Sequence, residues 1–202
     1  MRKMERPRLE QGLVQIYSGM AKGKTTASLG LAFRAIGHGF RVSFIQLVRA
    51  KIYSGILESA ARLYPNMEVM QFGRTCPYAA LLREGMRKCT GCRECFVKKG
   101  EATKEDREIA VLGWKKAQQI VASDEYDIVI LDDISNAIAY GLITTEQVVE
   151  LIKSRPPQVE LILTGSYLFP QDLLDLANLI TEMKEIKHPY YQGIKPRRGI
   201  EY

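Results

Sequence analysis

The sequence predicts an α/β fold in which helices cover both faces of a mostly parallel sheet. Two observations lead to this prediction. Short apolar runs alternate along the chain with longer segments of helical spacing, and this alternation is typical of parallel strands joined by helices. The chain has 202 residues, of which 46% are hydrophobic, so a single domain of this kind would have a substantial core.

Six largely apolar runs are predicted to be the strands. They lie at residues 13–17, 41–48, 67–72, 126–133, 159–164 and 179–186. Five segments between them are predicted to be helices, at residues 27–35, 52–64, 103–122, 144–155 and 169–177. Thr103 is a suitable N-cap for the longest helix, and Asp106 places a carboxylate near its N-terminus.

A glycine-rich turn separates the first strand from the first helix. Such a turn points backbone N–H groups at an anion, and the helix N-terminus adds partial positive charge. Lys24 is expected to reach the outer phosphates of a nucleotide, and the Thr25 hydroxyl to bind Mg²⁺. The usual pattern has a glycine where this chain has Ser18, and a turn that binds nothing is the alternative. The predicted nucleotide-binding residues are Gly19, Met20, Ala21, Lys22, Gly23, Lys24, Thr25 and Thr26.

Two carboxylates, Asp132 and Asp133, end the fourth predicted strand. A carboxylate at the C-terminal end of a strand beside a phosphate-binding loop holds Mg²⁺ directly or through water. Because successive strand residues face opposite sides, only one of the two is expected to face the metal. The alternative is that both are merely solvated at the end of the strand.

The overall charge and hydropathy restrict the classes of partner. The net charge of +6 suits an anionic ligand such as a nucleotide. There is no long basic run and no aromatic ribonucleoprotein motif, so nucleic acid is not an expected partner. No apolar run approaches the length of a membrane span and no signal peptide is recognisable, so we expect a cytoplasmic protein without a membrane partner. Residues 1–11 are charged and are expected to be mobile unless something docks them.

All four cysteines lie in residues 74–100, which break the alternation of strands and helices. Cys89, Cys92 and Cys95 form a C-x₂-C-x₂-C motif, and Cys76 lies upstream, directly before a proline. Four thiolates can bind a tetrahedral Zn²⁺ or a 4Fe–4S cluster, and this spacing favours the cluster over zinc. A loop with free thiols is the alternative.

The sequence resembles the ATP:corrinoid adenosyltransferases of the CobA/CobO/BtuR type. The motifs at the C-terminus are specific to that family rather than to phosphate-loop proteins at large. The matching stretches cover most of the chain in the family's order, at residues 12–17, 22–26, 34–39, 126–133, 163–165, 181–183, 187–190, 193–194 and 199–202.

The resemblance implies a P-loop fold and a transferase that moves the 5′-deoxyadenosyl group of ATP to the cobalt of a reduced Co(I) corrinoid, cob(I)alamin or a biosynthetic precursor, and releases triphosphate. It implies that Lys22, Lys24 and Asp133 are catalytic and that Thr25 and Asp133 hold Mg²⁺. It also implies a reductase or other electron donor, a homodimer, and a C-terminal tail, residues 188–202, that borders the site.

Two single residues and one short segment depart from the family pattern. Asp133 and Ser166 stand where the family usually has Glu and Arg. Residues 74–78 replace an aromatic loop that packs under the corrinoid, and Tyr78 and Phe96 are the candidates to take its place. These departures favour an alternative, a P-loop paralogue that acts as an ATPase or binds a corrinoid or metal cluster without adenosylation. A nucleic-acid-binding ATPase ranks last.

Overall fold

The computed structural model describes residues 6–20, 22–48, 54–97 and 99–202. Within these residues, one sheet of six parallel strands confirms the predicted fold class. The strands are β1 (Val14–Gly19), β2 (Val42–Gln46), β3 (Met67–Gln71), β4 (Ile128–Asp132), β5 (Glu160–Thr164) and β6 (Leu179–Met183). Across the sheet the strands have the order β3-β2-β4-β5-β1-β6.

Helices connect these strands, and all five predicted helices are present, with ends that differ by a few residues. Residues 52 and 53 of the second predicted helix lie outside the described part of the chain. The helices are α1 (Lys24–Gly37), α2 (Gly55–Leu63), α3 (Ala79–Arg83), α4 (Lys104–Ala122), α5 (Ile134–Ala139), α6 (Thr145–Ser154) and α7 (Gln171–Leu176), with a 3₁₀ turn at Pro189–Gln192. The two short helices α3 and α5 were not predicted.

Reciprocal capping contacts explain where helices α4 and α6 begin. The Thr103 hydroxyl accepts a hydrogen bond from the Asp106 backbone N–H, and the Asp106 carboxylate accepts one from the Thr103 N–H, at 2.8 Å. Thr144 and Gln147 form the same reciprocal arrangement at the start of α6. Each pair satisfies two backbone donors that a helix N-terminus leaves unpaired.

The hydrophobic core lies on both faces of the sheet. Val129 and Leu131 of β4 belong to the cluster that includes Trp114 of α4, whereas Ile128 and Ile130 belong to the cluster on the opposite face. This alternation follows from the two-residue period of a strand. In the part of the chain that the structure describes, no helix combines the length and apolar character needed to cross a membrane.

The N-terminal segment, which was expected to be mobile unless something docks it, is docked from Arg6 onward. Arg6 Nη1 donates to the fully buried Asp127 at 3.1 Å, and Arg8 Nη2 donates to Asp124 at 2.6 Å. Asp127 directly precedes β4 and Asp124 lies four residues before it, at the N-terminal edge of the sheet. Residues 1–5 lie outside the described part of the chain.

Candidate active site

A cavity of about 710 Å³ lies at the C-terminal edge of the sheet. Ligands of open α/β folds bind at this edge because the loops after parallel strands converge there. Part of its wall comes from the glycine-rich turn, from the ends of β2 and β4, and from the C-terminus. These residues are Lys22, Gly23, Lys24, Thr25, Thr26, Gln46, Asp133, His188, Gly199, Glu201 and Tyr202.

The turn needs glycine at two positions because β6 passes directly beside it. Gly19 and Gly23 both have φ of +120°, where side chains are strongly disfavoured. A Cβ on Gly19 would lie 2.1 Å from the carbonyl oxygen of Met183, and one on Gly23 would lie 2.9 Å from the Met183 sulfur. The pairing of β1 with β6 therefore shapes the turn.

Five of the eight predicted nucleotide-binding residues line the cavity, at positions 22–26. Lys24 is buried, with 8% of its surface exposed, whereas Met20 is 55% exposed. Gly19 contributes the shape of the turn rather than a contact surface. Ala21 lies outside the described residues.

Asp132 lies behind the turn rather than on the cavity wall. One of its carboxylate oxygens accepts hydrogen bonds from the hydroxyls of Thr25, at 2.9 Å, and Thr164, at 2.7 Å. The other accepts from the Gln46 side-chain amide at 2.8 Å, and the residue has no solvent exposure. Asp132 thereby fixes the orientation of the Thr25 hydroxyl.

Asp133, the next residue, does line the cavity. Its φ of +61° is in the left-handed region, which few non-glycine residues adopt. The backbone N–H of Asp133 donates to the Thr164 hydroxyl at 3.0 Å, and its carboxylate accepts from Asn136 at 3.2 Å. The two aspartates therefore face different surroundings, because the left-handed backbone at Asp133 changes the direction of the chain directly after β4.

Gln46 is a site residue that sequence reasoning missed. Its side chain lines the cavity, donates to Asp132, and accepts a hydrogen bond from Gln71 at 2.8 Å. The sequence feature that could have identified Gln46 is its place as a polar residue at the end of a buried apolar run.

His188 also lines the cavity. Its Nδ1 accepts a hydrogen bond from the Tyr190 N–H at 3.1 Å, and this bond caps the following 3₁₀ turn.

The C-terminal residues close one side of the cavity. The Glu201 carboxylate accepts from Lys22 Nζ at 2.7 Å and from Arg197 at 2.8 and 3.0 Å. Arg197, and after it Lys22, lower the pKa of Glu201 to about 2, so this carboxylate is ionised at physiological pH. A negative charge therefore lies against a lysine of the phosphate-binding turn.

The four cysteines are free thiols that differ in burial. Cys76 is buried, Cys89 and Cys95 are partly buried, and Cys92 is exposed. Burial raises the pKa of Cys95 to about 11, and the neighbouring thiols of Cys76, Cys92 and Cys89 add to the increase. Among the described residues, no three His, Cys, Asp or Glu side chains are arranged to hold a metal ion. The zinc or iron–sulfur site expected from the spacing is therefore not preassembled.

An ion pair holds the start of the cysteine-containing segment, residues 74–100, against helix α4. Arg74, at its start, donates to both carboxylate oxygens of Asp106, at 2.9 and 2.7 Å, and to the Glu101 carbonyl at 2.9 Å. The Arg74 hydrogen bond is the main reason that the pKa of Asp106 is lowered to about 2. The start of the segment is thus tied to the first turn of α4.

The Asp106→Asn protein is expected to be less stable than the unsubstituted protein near pH 6. Because the folded-state pKa is depressed, the ionised form stabilises the fold above about pH 4, and this contribution is lost as pH falls towards about 2. The difference in Tm between the Asp106→Asn protein and the unsubstituted protein should therefore become smaller as the pH falls from about 4 to about 2. Thermal unfolding across this range measures it, with Glu108→Gln, at an exposed pair, as the control. A Tm difference independent of pH would contradict the role of the ion pair.

Sequence and structure comparisons identify relatives of this chain. The sequence model of the family described as ATP:corrinoid adenosyltransferase BtuR/CobO/CobP matches residues 10–202. A corrinoid adenosyltransferase from Sinorhizobium sp. is 30% identical over 96% of this chain and 81% of its own length. One from Escherichia coli K12 is also 30% identical, over 96% of this chain and 87% of its own length.

Among solved structures, the flagellar accessory protein FlaH from Methanocaldococcus jannaschii superposes with a TM-score of 0.53 and 16% identity. The match covers 86% of this chain and 72% of that one, and it concerns the fold alone. The sequence matches go further, because they extend over nearly the whole chain and include the turn and both aspartates. The chain belongs to the ATP:corrinoid adenosyltransferase BtuR/CobO/CobP family.

Proposed function

We propose that this protein transfers the 5′-deoxyadenosyl group of ATP to the cobalt of a Co(I) corrinoid and releases triphosphate. The observation that carries the proposal is a cavity shared by residues 22–26 of the phosphate-binding turn, Asp133 and the C-terminal motif of the family. The substrate's own cobalt is the nucleophile, so no nucleophilic side chain is needed. The protein must align two substrates and stabilise the leaving group.

In this reaction the Co(I) electron pair attacks C5′ of ATP. A cobalt–carbon bond forms as the bond between C5′ and the phosphate oxygen breaks, and the triphosphate leaves with that bond's electrons. Cobalt is formally oxidised from Co(I) to Co(III). The backbone N–H groups of the turn and the ammonium groups of Lys22 and Lys24 would stabilise the charge that develops on the triphosphate.

The residues present suit a magnesium ion. Thr25 donates its hydroxyl proton to Asp132, so the oxygen keeps its lone pairs available on the cavity side. Asp133 adds a carboxylate to the same wall, and oxygen ligands of these kinds are those that Mg²⁺ prefers. We assign Thr25 and Asp133 as ligands, and Asp132 as the residue that orients Thr25. When bound, Mg²⁺ would supply positive charge to the triphosphate.

Apolar side chains line part of the cavity and suit a large planar substrate. Leu29 and Phe33 of α1 line it together with Ile56 and Leu63 of α2. Phe33 is 71% exposed, which is unusual for a side chain of this size unless a ligand or partner covers it. Contact with adenine or the corrin ring would remove this surface from water.

One observation favours the second candidate, a nucleotide-binding paralogue that does not adenosylate. The guanidinium of Arg87 lies 3.4 Å from the centroid of the Tyr78 ring. Tyr78 is a candidate to replace the missing aromatic loop, but one face of its ring is already covered. If no other aromatic residue takes this role, reduction of the corrinoid cobalt would have to be assisted in another way.

A single assay separates these functions. Protein, ATP, Mg²⁺ and a chemically reduced corrinoid are mixed without oxygen, and the products are analysed. Triphosphate together with a light-sensitive cobalt–carbon product supports adenosyl transfer. Release of orthophosphate without corrinoid supports an ATPase, and neither product would exclude both functions.

Family resemblance extends the proposal to a homodimer, an external electron donor and a cytoplasmic location. The electron donor is needed because Co(II) corrinoids must be reduced before they can attack C5′. Light scattering of the purified protein gives its oligomeric state. A mass corresponding to one chain of 22.9 kDa would overturn the homodimer.

Substitution of Glu201 by Gln is expected to strengthen ATP binding by up to about fivefold. The carboxylate competes with the triphosphate for Lys22, whose side chain is 42% exposed, and exposed pairs of this kind contribute about 0.2–1 kcal/mol. Isothermal titration with ATP and Mg²⁺ measures the change, with the exposed Glu150→Gln on α6 as control. Weaker binding to the Glu201→Gln protein would show that this residue assists the nucleotide.

A further inference from the structure

The segment of residues 74–100 has a chemistry that adenosyl transfer does not use. It contains all four cysteines of the chain, three of them within the seven residues 89–95. Cys76 is buried at the start of the segment, while Cys92 is exposed at the middle of the motif.

Among the described residues, the backbone hydrogen bonds near the cysteine motif do not form a regular helix or strand. Those described for residues 88–95 are a bond from the Cys89 N–H to the Tyr202 hydroxyl, at 3.4 Å, and one from the Phe96 N–H to the Arg93 carbonyl, at 3.0 Å. Between α3 and α4 the described residues form no further helix or strand, and an irregular stretch of that length requires some other source of order. Disulfides do not supply it, since the thiols are free.

The backbone turns sharply on both sides of Cys92. Gly91 has a φ of +72° and Arg93 a φ of +62°. The left-handed conformation is common for glycine but unfavourable for arginine. These two residues therefore change the direction of the chain on each side of Cys92.

The charge of the segment also suits thiolate ligands. Residues 74–100 contain seven Lys and Arg and two Glu, a net charge of +5, against +6 for the whole chain. Four thiolates around Zn²⁺ or a 4Fe–4S cluster form a net anion. A coordinated metal deprotonates its thiols outright, and the net positive charge of the segment offsets the charge of that anion.

We propose that Cys76, Cys89, Cys92 and Cys95 bind a metal centre with four thiolate ligands. Since no three of these side chains are preassembled, the metal would draw the three motif cysteines towards buried Cys76 and complete the fold of the segment. The ion pair of Arg74 with Asp106 already holds the start of the segment against α4. This site is separate from the nucleotide-binding turn and goes beyond the proposed transferase activity.

The proposed centre would lie beside the active-site cavity. Cys89 contacts the Tyr202 hydroxyl, and Tyr202 lines the cavity together with Glu201. A Cβ on Gly85 would lie 3.4 Å from the Arg198 guanidinium, a second approach between the segment and the C-terminus. Metal binding is therefore expected to fix the C-terminal wall of the cavity as well as the segment itself.

Metal analysis of the protein purified without oxygen tests the proposal. We expect either about four iron and four sulfide per chain with visible absorption, which identifies a cluster, or about one zinc per chain, which identifies a zinc site. The measurement is repeated after anaerobic incubation with iron and sulfide, or with Zn²⁺. Less than about a tenth of an equivalent of either centre after both incubations would overturn the proposal.

Substitutions then connect the metal to these residues. Cys92→Ser gives the cleanest test, because Cys92 is exposed and its replacement does not disturb packing, whereas Cys76 is buried. The variant should lose at least about half of the bound metal or change its spectrum, and Thr90→Ala in the same segment should lose none. Circular dichroism and ATP binding confirm that each variant is folded. Retention of the full metal content by a protein with all four cysteines replaced by Ser would overturn the assignment.

Discussion

The Lys24→Ala protein is expected to adenosylate its corrinoid at least about 100-fold more slowly than the unsubstituted protein. Lys24 is buried in the phosphate-binding turn and lines the cavity, so its ammonium group would act on the leaving triphosphate in a region with little water. Electrostatic stabilisation in such surroundings is stronger than in bulk solvent. Initial rates of cobalt–carbon bond formation measure the loss of turnover, and titration calorimetry measures the loss of ATP affinity.

Lys116→Ala is the matched control, since Lys116 is exposed on α4, and it should leave both quantities unchanged. Normal turnover by the Lys24→Ala protein would mean that the triphosphate binds elsewhere, and it would remove the basis of the proposed function. Slow turnover with unchanged ATP affinity would instead locate the role of Lys24 in the transition state.

The Asp132→Ala protein is expected to lose both stability and magnesium-dependent turnover. The substitution leaves Thr25, Thr164 and Gln46 without the acceptor that they share in a fully buried position. Each buried polar group left unpaired costs about 1–3 kcal/mol. For a chain of this size we expect Tm to fall by at least about 5 °C. Thermal unfolding and the dependence of the rate on Mg²⁺ concentration give the two effects.

Asp133→Asn provides the comparison, because asparagine tolerates the left-handed backbone of this position. This variant should keep nearly the same Tm but need more Mg²⁺ for half-maximal rate, since Asp133 lines the cavity rather than the buried network. If Asp132→Ala proved as stable and active as the unsubstituted protein, the network around Thr25 would not be what positions that hydroxyl.

Most of the architecture follows from local patterns. The capping residues Thr103 and Asp106 identify the start of α4 because both partners of the cap lie within four residues. Buried strands such as β4 are apolar on both faces, which makes them visible as continuous runs. Helices α3 and α5 have only five and six residues and were missed, whereas α7, also of six residues, was found as part of a longer predicted segment, residues 169–177.

The site follows only partly from such patterns. The turn at residues 18–26 is a contiguous motif, so the sequence alone is enough to name its residues. The division of roles between Asp132 and Asp133 could not be derived in this way, because it depends on Thr164 of another strand and on the left-handed backbone at Asp133. Gln46 was missed for a similar reason, since its partners Asp132 and Gln71 lie on two other strands.

The linear order of residues thus specified the strands, the longer helices and the phosphate-binding turn, because each depends on interactions between residues close in the chain. Folding decided which carboxylate reaches the cavity, brought Glu201 onto Lys22 across 179 positions, and placed Tyr202 against Cys89. Those contacts depend on the packing of distant segments at one edge of the sheet. No local period or motif encodes that packing.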